Sequence, residues 1–233
     1  MQITSYLHWQ IYRQKVRSNE CKLYLTLFPR RNRFGRSGVW FNLLNMLIRP
    51  RRLRKNPIIR ELVAETRLSK DMFVYPYFVV PGKGVKHPID AMPGIFHFSV
   101  DMLVKDVAEG LKFGLNKVLL FGVGENKCED ASSAYHHDSL VAQAVRELKK
   151  AFGEDIYVIT DVCTCAYTTH GHCGILHNDY VQNDETVAVL AKMALAHAQA
   201  GADMVAPSDM MDGRVGAIRD LLDEHHFVNT AIM

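Results

Sequence analysis

Apolar and polar residues alternate along the chain in blocks that favour strands and helices in turn. Apolar and β-branched runs predict five strands, at Phe73–Val80, Lys117–Val123, Ile156–Cys163, Asp203–Ala206 and Phe227–Met233. Helical spacing predicts helices over Val100–Phe113, Leu140–Phe152, Asp184–Ala200 and Val215–Leu222. Ser99 and Asp184 are expected to cap two helices, and Gly114 to end one. This alternation predicts an α/β fold around a parallel sheet that is buried on both faces.

A cluster of cysteines follows the third predicted strand. Cys163 and Cys165 form a C-x-C pair at its end, and seven residues separate Cys165 from Cys173. Since alternate side chains of a strand point the same way, Asp161 is predicted to share a face with the pair. Three thiolates that leave a fourth position open are typical of catalytic zinc. The residues alone also allow a disulfide, redox thiols or inert buried cysteines, and His170 or His172 as a replacement ligand or acid–base partner.

Other chemistry-bearing residues follow the neighbouring strands. Ser208, Asp209 and Asp212 come after the fourth strand, where capping of the next helix and contact with a substrate are both reasonable interpretations. Lys127 and Ser132–Ser133 follow the second strand. These residues therefore lie at the carboxyl ends of the predicted parallel strands.

Several conspicuous residues are interpreted without a functional role. The pair His136–His137 is typical of a solvated helix start, and the pair Met210–Met211 of packing. Cys21 and Cys128 are far from the cysteine cluster in sequence, so we do not expect either to be a metal ligand.

Composition narrows the class of protein. The chain has 233 residues, of which 48% are hydrophobic and 23% charged, as in one sizeable globular domain. Its apolar runs are shorter than the roughly 18 residues of a membrane span. Five cysteines without an even framework or a secretory signal indicate a reducing compartment, so we expect a cytoplasmic protein. We expect no nucleic-acid or membrane partner.

Charge is distributed unevenly along the chain. Residues 1–55 contain 13 lysines or arginines and one acidic residue, a net charge of +12, whereas the remainder carries −9. Three interpretations fit: an extension upstream of a natural start at Met46, an organellar transit peptide, or an interaction arm. We therefore expect residues 1–48 to be a basic extension, artefactual or disordered, and residues 49–233 to be the folded domain.

The chain resembles the porphobilinogen synthase family, also called 5-aminolevulinate dehydratase, in six segments that occur in the same order. They extend from residue 49 to the last residue. The segments are RPRRLRKNP (Arg49–Pro57), AMPGI (Ala91–Ile95), LLFGV (Leu119–Val123), DVCTCAYTTHGHCG (Asp161–Gly174), AGADMVAPSDMMDGRV (Ala200–Val215) and NTAIM (Asn229–Met233).

This resemblance implies a TIM-type (β/α)8 barrel and a hydro-lyase of haem and tetrapyrrole synthesis. The family condenses two molecules of 5-aminolevulinate to porphobilinogen with loss of water. The resemblance implies that Cys163, Cys165 and Cys173 hold a catalytic Zn²⁺, and that Asp161 and Ser208 line the active site as auxiliary catalytic residues. It also implies a homo-oligomer, and an additional Mg²⁺ is possible in the family.

The family's two Schiff-base lysines lie downstream of the segment that resembles NTAIM. The resemblance therefore implies about five of eight strands in this chain, an incomplete barrel with unpaired strand edges. We expect the chain to be inactive alone and the complete gene product to be a porphobilinogen synthase. The alternative is a non-catalytic zinc-binding fragment or pseudo-subunit that associates with the full-length enzyme.

Overall fold

The computed structural model describes residues 48–124 and 127–233. Residues 67–233 form one compact unit, and the described residues 48–66 belong to another. The predicted extension of residues 1–48 lies outside the described part, apart from Ile48. Strands are β1 (Tyr75–Val79), β2 (Lys86–Pro88), β3 (Phe96–Phe98), β4 (Lys117–Gly122), β5 (Tyr157–Val162), β6 (Leu176–His177), β7 (Tyr180–Val181), β8 (Met204–Pro207) and β9 (Ala231–Ile232).

Five α-helices accompany these strands in the described residues. Four of them, α2 to α5, lie in the compact unit; α2, α3 and α5 follow strands of the main sheet, and α4 follows the separate hairpin of β6 and β7. The helices are α1 (Pro57–Leu62), α2 (Val100–Leu111), α3 (Leu140–Phe152), α4 (Asn183–Gln199) and α5 (Arg214–Glu224). Among the helices described, none combines the length and the apolar character that a bilayer crossing requires.

Seven strands form one sheet in the order β2, β3, β1, β4, β5, β8, β9. Neighbours are parallel except for the antiparallel pair β2 and β3. From β1 to β9 the parallel strands follow chain order, and each consecutive pair is joined through a helix, as in the repeating unit of a (β/α)8 barrel. The sheet stays open among the described residues, which agrees with the predicted incomplete barrel. The five predicted strands are confirmed: the fourth is shifted by one residue towards the C-terminus, and the other four are shorter at one or both ends.

The prediction that the first strand lies at an edge of the sheet is wrong. The first predicted strand was expected to leave an edge unpaired, but β3 pairs with β1 and places Phe78 opposite His97. Strand β2 then covers β3. Both added strands have three residues, too few for a recognisable pattern of alternation. The outermost strand carries Lys86 and Pro88, a charge and a residue without an N–H donor, which suit an outer edge.

The helices pack against the sheet in two hydrophobic clusters. Helices α2 and α3 cover β1 and β4, and helices α4 and α5 cover β5 and β8. The alanine-rich α4 also contacts α3 and α5, so it is buried on several sides. The fully buried side chains at the centres of the two clusters include Leu103, Leu120, Val145 and Leu148 in the first, and Leu190, Met193, Val205, Ile218 and Leu222 in the second.

The predicted helix ends are partly confirmed. Gly114 adopts φ +82° in the turn after α2, as expected of a helix stop. Ser99 precedes α2, but its hydroxyl accepts the Val85 N–H at 2.9 Å and donates to Asp101 at 2.6 Å instead of capping the helix. Asp184 is not a cap, because Gln182 occupies that position and Asp184 lies in the first turn of α4. There the carboxylate still faces the positive end of the helix dipole.

Candidate metal centre

Strand β5 brings Asp161 to the carboxyl edge of the sheet and ends one residue before Cys163. Strand β8 runs parallel beside it, with Asp161 opposite Ala206. Because parallel strands end at the same edge, Ser208 at the end of β8 lies next to Asp161. The Ser208 hydroxyl donates to Asp161 Oδ1 at 2.6 Å. The two predicted auxiliary residues are therefore in direct contact.

The three cysteines of the predicted tripod converge beyond this edge. Their sulfur atoms all lie within 4.8 Å of one another, and those of Cys163 and Cys165 are 3.4 Å apart. Tetrahedral zinc with bonds of about 2.3 Å requires sulfurs about 3.8 Å apart, so the donor set fits. A disulfide requires about 2.05 Å between sulfurs, and the cysteines that the structure describes are all free. The arrangement thus favours a metal site over a disulfide.

A tight turn and a returning loop produce this convergence. The N–H groups of Tyr167 and Thr168 donate to Thr164 O at 2.8 and 3.0 Å, which closes a helical turn around Cys165. Gly171 adopts φ +72° and reverses the chain. The Thr168 hydroxyl then donates to the carbonyl of His172 at 2.9 Å, next to Cys173.

Burial favours the protonated form of two of the three thiols. Desolvation raises the pKa of Cys163 well above its usual range; the backbone N–H of Cys165 lowers it, and contacts with the Cys165 and Cys173 sulfurs raise it further. Desolvation also raises the pKa of Cys173. Without a cation these thiols therefore remain protonated, and a bound divalent metal would displace their protons.

The two histidines of the motif lie beside the tripod rather than in it. The His172 N–H donates to His170 Nδ1 at 3.1 Å. His172 Nδ1 is buried and has no hydrogen-bond partner among the described residues. The cluster of sulfur ligand atoms includes neither imidazole, so the geometry does not favour histidine as a replacement ligand.

Asp161 is half-buried, and its neighbours shift the pKa of its carboxyl in opposite directions. Desolvation raises the pKa of its carboxyl, the Ser208 hydroxyl lowers it, and the charge of Asp209 raises it. Asp209 is buried and forms an ion pair with Arg214, with Asp209 Oδ2 and Arg214 Nε 3.1 Å apart. Asp161 therefore provides a partly desolvated carboxyl at the carboxyl edge of the sheet.

The helix-capping interpretation of Ser208, Asp209 and Asp212 is wrong. Gly213, with φ +79°, occupies the cap position of α5, and no side chain bonds there. Asp209 instead accepts the Met211 N–H at 2.7 Å, which orders the loop before α5. The N–H of Asp212 donates to Asn183 at 2.8 Å and ties this loop to the start of α4. Their sequence resembles a cap, but the glycine displaces the helix start beyond them.

The remaining candidates lie outside the tripod. His136 and His137 are exposed beside Asp138, as expected of a solvated helix start. Cys128 contacts Ser132 at 3.4 Å and does not join the sulfur cluster. The packing interpretation fits Met211, which is buried, and the neighbouring Met210 is exposed.

Tyr167 is a site residue that the sequence analysis missed. It lies between Cys165 and Cys173, is buried, and has a hydroxyl without a partner among the described residues. Desolvation raises the pKa of this hydroxyl, and negative charge on Asp161, or on Cys165 and Cys163 when these are ionised, raises it further. Tyr167 is one of the residues that line a cavity of about 380 Å³ near the start of α3. Its place inside the cysteine motif was the available clue.

The family model described as Delta-aminolevulinic acid dehydratase matches residues 47–233. The chain belongs to the delta-aminolevulinic acid dehydratase family. The dehydratase of Ruminiclostridium josui is 49% identical over 188 residues, which cover 81% of this chain and 91% of that protein. The dehydratase of Methanothermus sociabilis is 51% identical over 185 residues, which cover 79% of this chain and 57% of that protein.

A solved dehydratase has the same fold. The crystal structure of delta-aminolevulinic acid dehydratase (porphobilinogen synthase) from Toxoplasma gondii ME49, in complex with the reaction product porphobilinogen, is 40% identical with a TM-score of 0.76. The match covers 82% of this chain and 55% of that one. The chain thus spans little more than half of this dehydratase and of the Methanothermus protein. The family resemblance and the predicted barrel class are confirmed.

Proposed function

We propose that the chain forms the metal-binding part of a porphobilinogen synthase, a hydro-lyase that condenses two molecules of 5-aminolevulinate. One observation carries the proposal: three sulfurs converge beside the Asp161–Ser208 pair in a member of the dehydratase family. This cluster lies at the carboxyl edge of the parallel strands, where barrel enzymes perform their chemistry. The related Toxoplasma enzyme holds porphobilinogen, the product of the proposed reaction.

The tripod of Cys163, Cys165 and Cys173 would hold Zn²⁺. Three thiolates suit a thiophilic metal and leave one coordination position open. When bound, zinc supplies a Lewis acid that polarises a substrate oxygen. Cys163 is buried and its two partners are half-buried, so the protein shields the ligand set from bulk water on one side.

Asp161 and Ser208 would orient the substrate beside the tripod. The Ser208 hydroxyl uses its hydrogen for Asp161, so its remaining lone pairs can accept an N–H or O–H of the substrate. The hydrogen bond also fixes the orientation of the Asp161 carboxyl. Ser208 is exposed, so a substrate can reach it. The pair therefore provides a preorganised polar contact at the sheet edge.

Imine formation with the substrate ketone needs an uncharged lysine amine at the same edge. Lys149 is at the amino edge of the sheet, where its amine lies 2.7 Å from Asp203. Lys117 begins β4 at that edge, and the amine of Lys192 lies over the ring of Tyr135. Lys127 follows β4 at the carboxyl edge and is the described lysine that the adduct test below examines most directly. We propose that the 233-residue chain alone forms no imine with 5-aminolevulinate.

Porphobilinogen formation tests the proposed function. The gene would be expressed with any open frame that follows the Met233 codon, and the product supplied with zinc and 5-aminolevulinate. We expect turnover that Cys163→Ala lowers by about 100-fold or more, because a first ligand is lost, and that the matched Cys128→Ala control preserves. Turnover unaffected by Cys163→Ala would refute the role of the tripod.

A separate experiment tests whether the 233-residue chain alone forms an imine with the substrate. After incubation with 5-aminolevulinate and borohydride, we expect no covalent adduct. An adduct mapped to a lysine of this chain would show that the nucleophile lies among the residues described.

An alternative role is that of a non-catalytic zinc-binding subunit. The open sheet edge at β9 favours it, because Ala231 and Ile232 pair with β8 on one side only among the described strands. A stop codon after Met233, together with co-purification of this chain with a longer dehydratase, would support this role over the first.

We also infer a reducing, cytoplasmic location and a homo-oligomeric assembly of the whole enzyme. The location is supported by free thiols, which persist in reducing compartments. An organellar location is the alternative if the basic residues 1–48 act as a transit peptide. Fractionation of cells and size-exclusion chromatography would test the two inferences.

A further inference from the structure

Tyr167 is part of the turn that presents Cys165 to the tripod. Its N–H donates to Thr164 O at 2.8 Å, and its carbonyl accepts the N–H of Cys128 at 2.9 Å. Both backbone polar groups of Tyr167 are therefore fixed by neighbours on either side. Because Cys165 lies two residues earlier in the same turn, a shift of Tyr167 also moves the Cys165 sulfur.

The side chain of Tyr167 is seated against the end of strand β4. It is 5% exposed and packs in the cluster of α4 and α5. A Cβ atom added to Gly122 would overlap the Tyr167 hydroxyl and would lie 2.7 Å from Val141 Cγ2. A Cβ added to Gly124 would meet no heavy atom within 4 Å. The requirement for glycine is therefore specific to position 122, where the tyrosine is seated.

The unpartnered hydroxyl gives this contact a steric role. It is buried and has no hydrogen-bond partner among the described residues, so its polarity opposes burial. What the hydroxyl contributes in this position is length, since it is the atom nearest to the space above Gly122. The hydroxyl fills the space that a Cβ at position 122 would need, so a side chain there would displace the ring and with it the turn that carries Cys165.

We infer that Tyr167 is a positioning residue of the cysteine tripod. Gly122 leaves the space that the Tyr167 hydroxyl occupies, and we call this space the socket. The ring of Tyr167 holds the Thr164–Thr168 turn so that the Cys165 sulfur faces those of Cys163 and Cys173. This inference rests on the metal-binding role proposed above. It adds two residues, neither of them a metal ligand, on which the geometry of the site depends.

Cobalt binding to the full 233-residue chain tests the inference, because the visible d–d bands of Co²⁺ report coordination geometry separately from protein stability. Tyr167→Leu removes the ring, and Tyr167→Phe keeps it. We expect Tyr167→Leu to weaken cobalt binding by about tenfold or more, as observed for residues that support metal ligands, and to change the d–d bands. Tyr167→Phe is expected to bind within about threefold of the wild type with unchanged bands, because it keeps the ring that supports Cys165.

A second-site rescue tests the socket independently of Tyr167→Leu, which removes buried volume. In a Val141→Ala background, Gly122→Ala keeps one severe overlap, that with the Tyr167 hydroxyl. We expect Gly122→Ala to weaken cobalt binding in that background and Tyr167→Phe to restore it. Gly124→Ala is the matched control, with binding equal to that of the wild type.

The outcomes distinguish three claims: the cysteine tripod, the positioning role of Tyr167 and the socket at Gly122. Wild-type bands and affinity in both Tyr167→Leu and Gly122→Ala/Val141→Ala would overturn the positioning role and leave the proposed tripod intact. Failure of Tyr167→Phe to rescue the Gly122→Ala variant would overturn the socket. A wild-type chain that binds no cobalt would overturn the tripod and this inference together.

Discussion

Thr160 and Asp161 are consecutive residues of β5, so their side chains lie on opposite faces of the sheet. On the helix side, Thr160 Oγ1 lies 3.0 Å from Nδ1 of the buried His197. On the other side, Asp161 accepts the Ser208 hydroxyl at 2.6 Å. Desolvation lowers the pKa of His197 from 6.5 to about 4 and raises that of Asp161. Burial therefore favours the neutral form on both faces of the same strand.

The two pairs differ in what surrounds them. His197 is fully buried within α4, and its Nε2 has no partner among the described residues. Asp161 has an exposed serine beside it and follows directly into the cysteine motif. A shifted pKa alone thus does not indicate a reactive site; access and chemical neighbours distinguish the two. We expect the helix-side pair to control stability and the other pair to control chemistry.

The largest expected effect on stability is the response of His197 to acid. Because its folded pKa is below its unfolded value, the unfolded state binds more protons between pH 6.5 and 4. The stability contribution is complete above pH 6.5 and is lost as pH falls towards 4, by roughly 3 kcal/mol in total. We expect His197→Leu to reduce this loss, as measured by urea unfolding at pH 7.5 and pH 4.5. An equal acid response in variant and wild type would contradict the assignment.

A smaller effect is expected from Thr160→Val, which removes the hydroxyl and keeps the shape of the side chain. Both ring nitrogens of His197 then lack partners, and we expect a loss of about 2 kcal/mol. In a His197→Leu background the same substitution should cost nearly nothing, since no imidazole remains to be satisfied. Urea unfolding of the four proteins measures this coupling. Additive costs would show that the two side chains do not act as a pair.

The smallest expected effect on stability is that of Ser208→Ala on the other face. Ser208 is exposed, so we expect a change within about 0.5 kcal/mol and unchanged zinc content. If the proposed function is correct, activity of the complete enzyme should fall, because the proposed substrate contact and the hydrogen bond that orients Asp161 are both lost. A large loss of stability without a loss of activity would contradict the assignment of stability to the Thr160–His197 pair and of chemistry to the Asp161–Ser208 pair.

The sequence predicted the features that are local along the chain. Cys163, Cys165 and Cys173 lie within eleven residues, so the spacing alone indicated a shared site. The pairing of Thr160 with His197 joins residues 37 positions apart, and no local pattern marks it. Strands β2 and β3 were missed because three residues show no period. The socket at Gly122 depends on a contact with Tyr167 across the sheet edge, which becomes visible only after folding.

Zinc content tests the central claim most directly. The 233-residue chain would be purified under reducing conditions with zinc, dialysed and analysed for metal per chain. Three thiolates in tetrahedral spacing predict about one zinc per wild-type chain and per Cys128→Ala control. They predict loss of that zinc in the triple Cys163→Ala, Cys165→Ala and Cys173→Ala variant. Equal zinc content in the triple variant and the wild type would contradict the account.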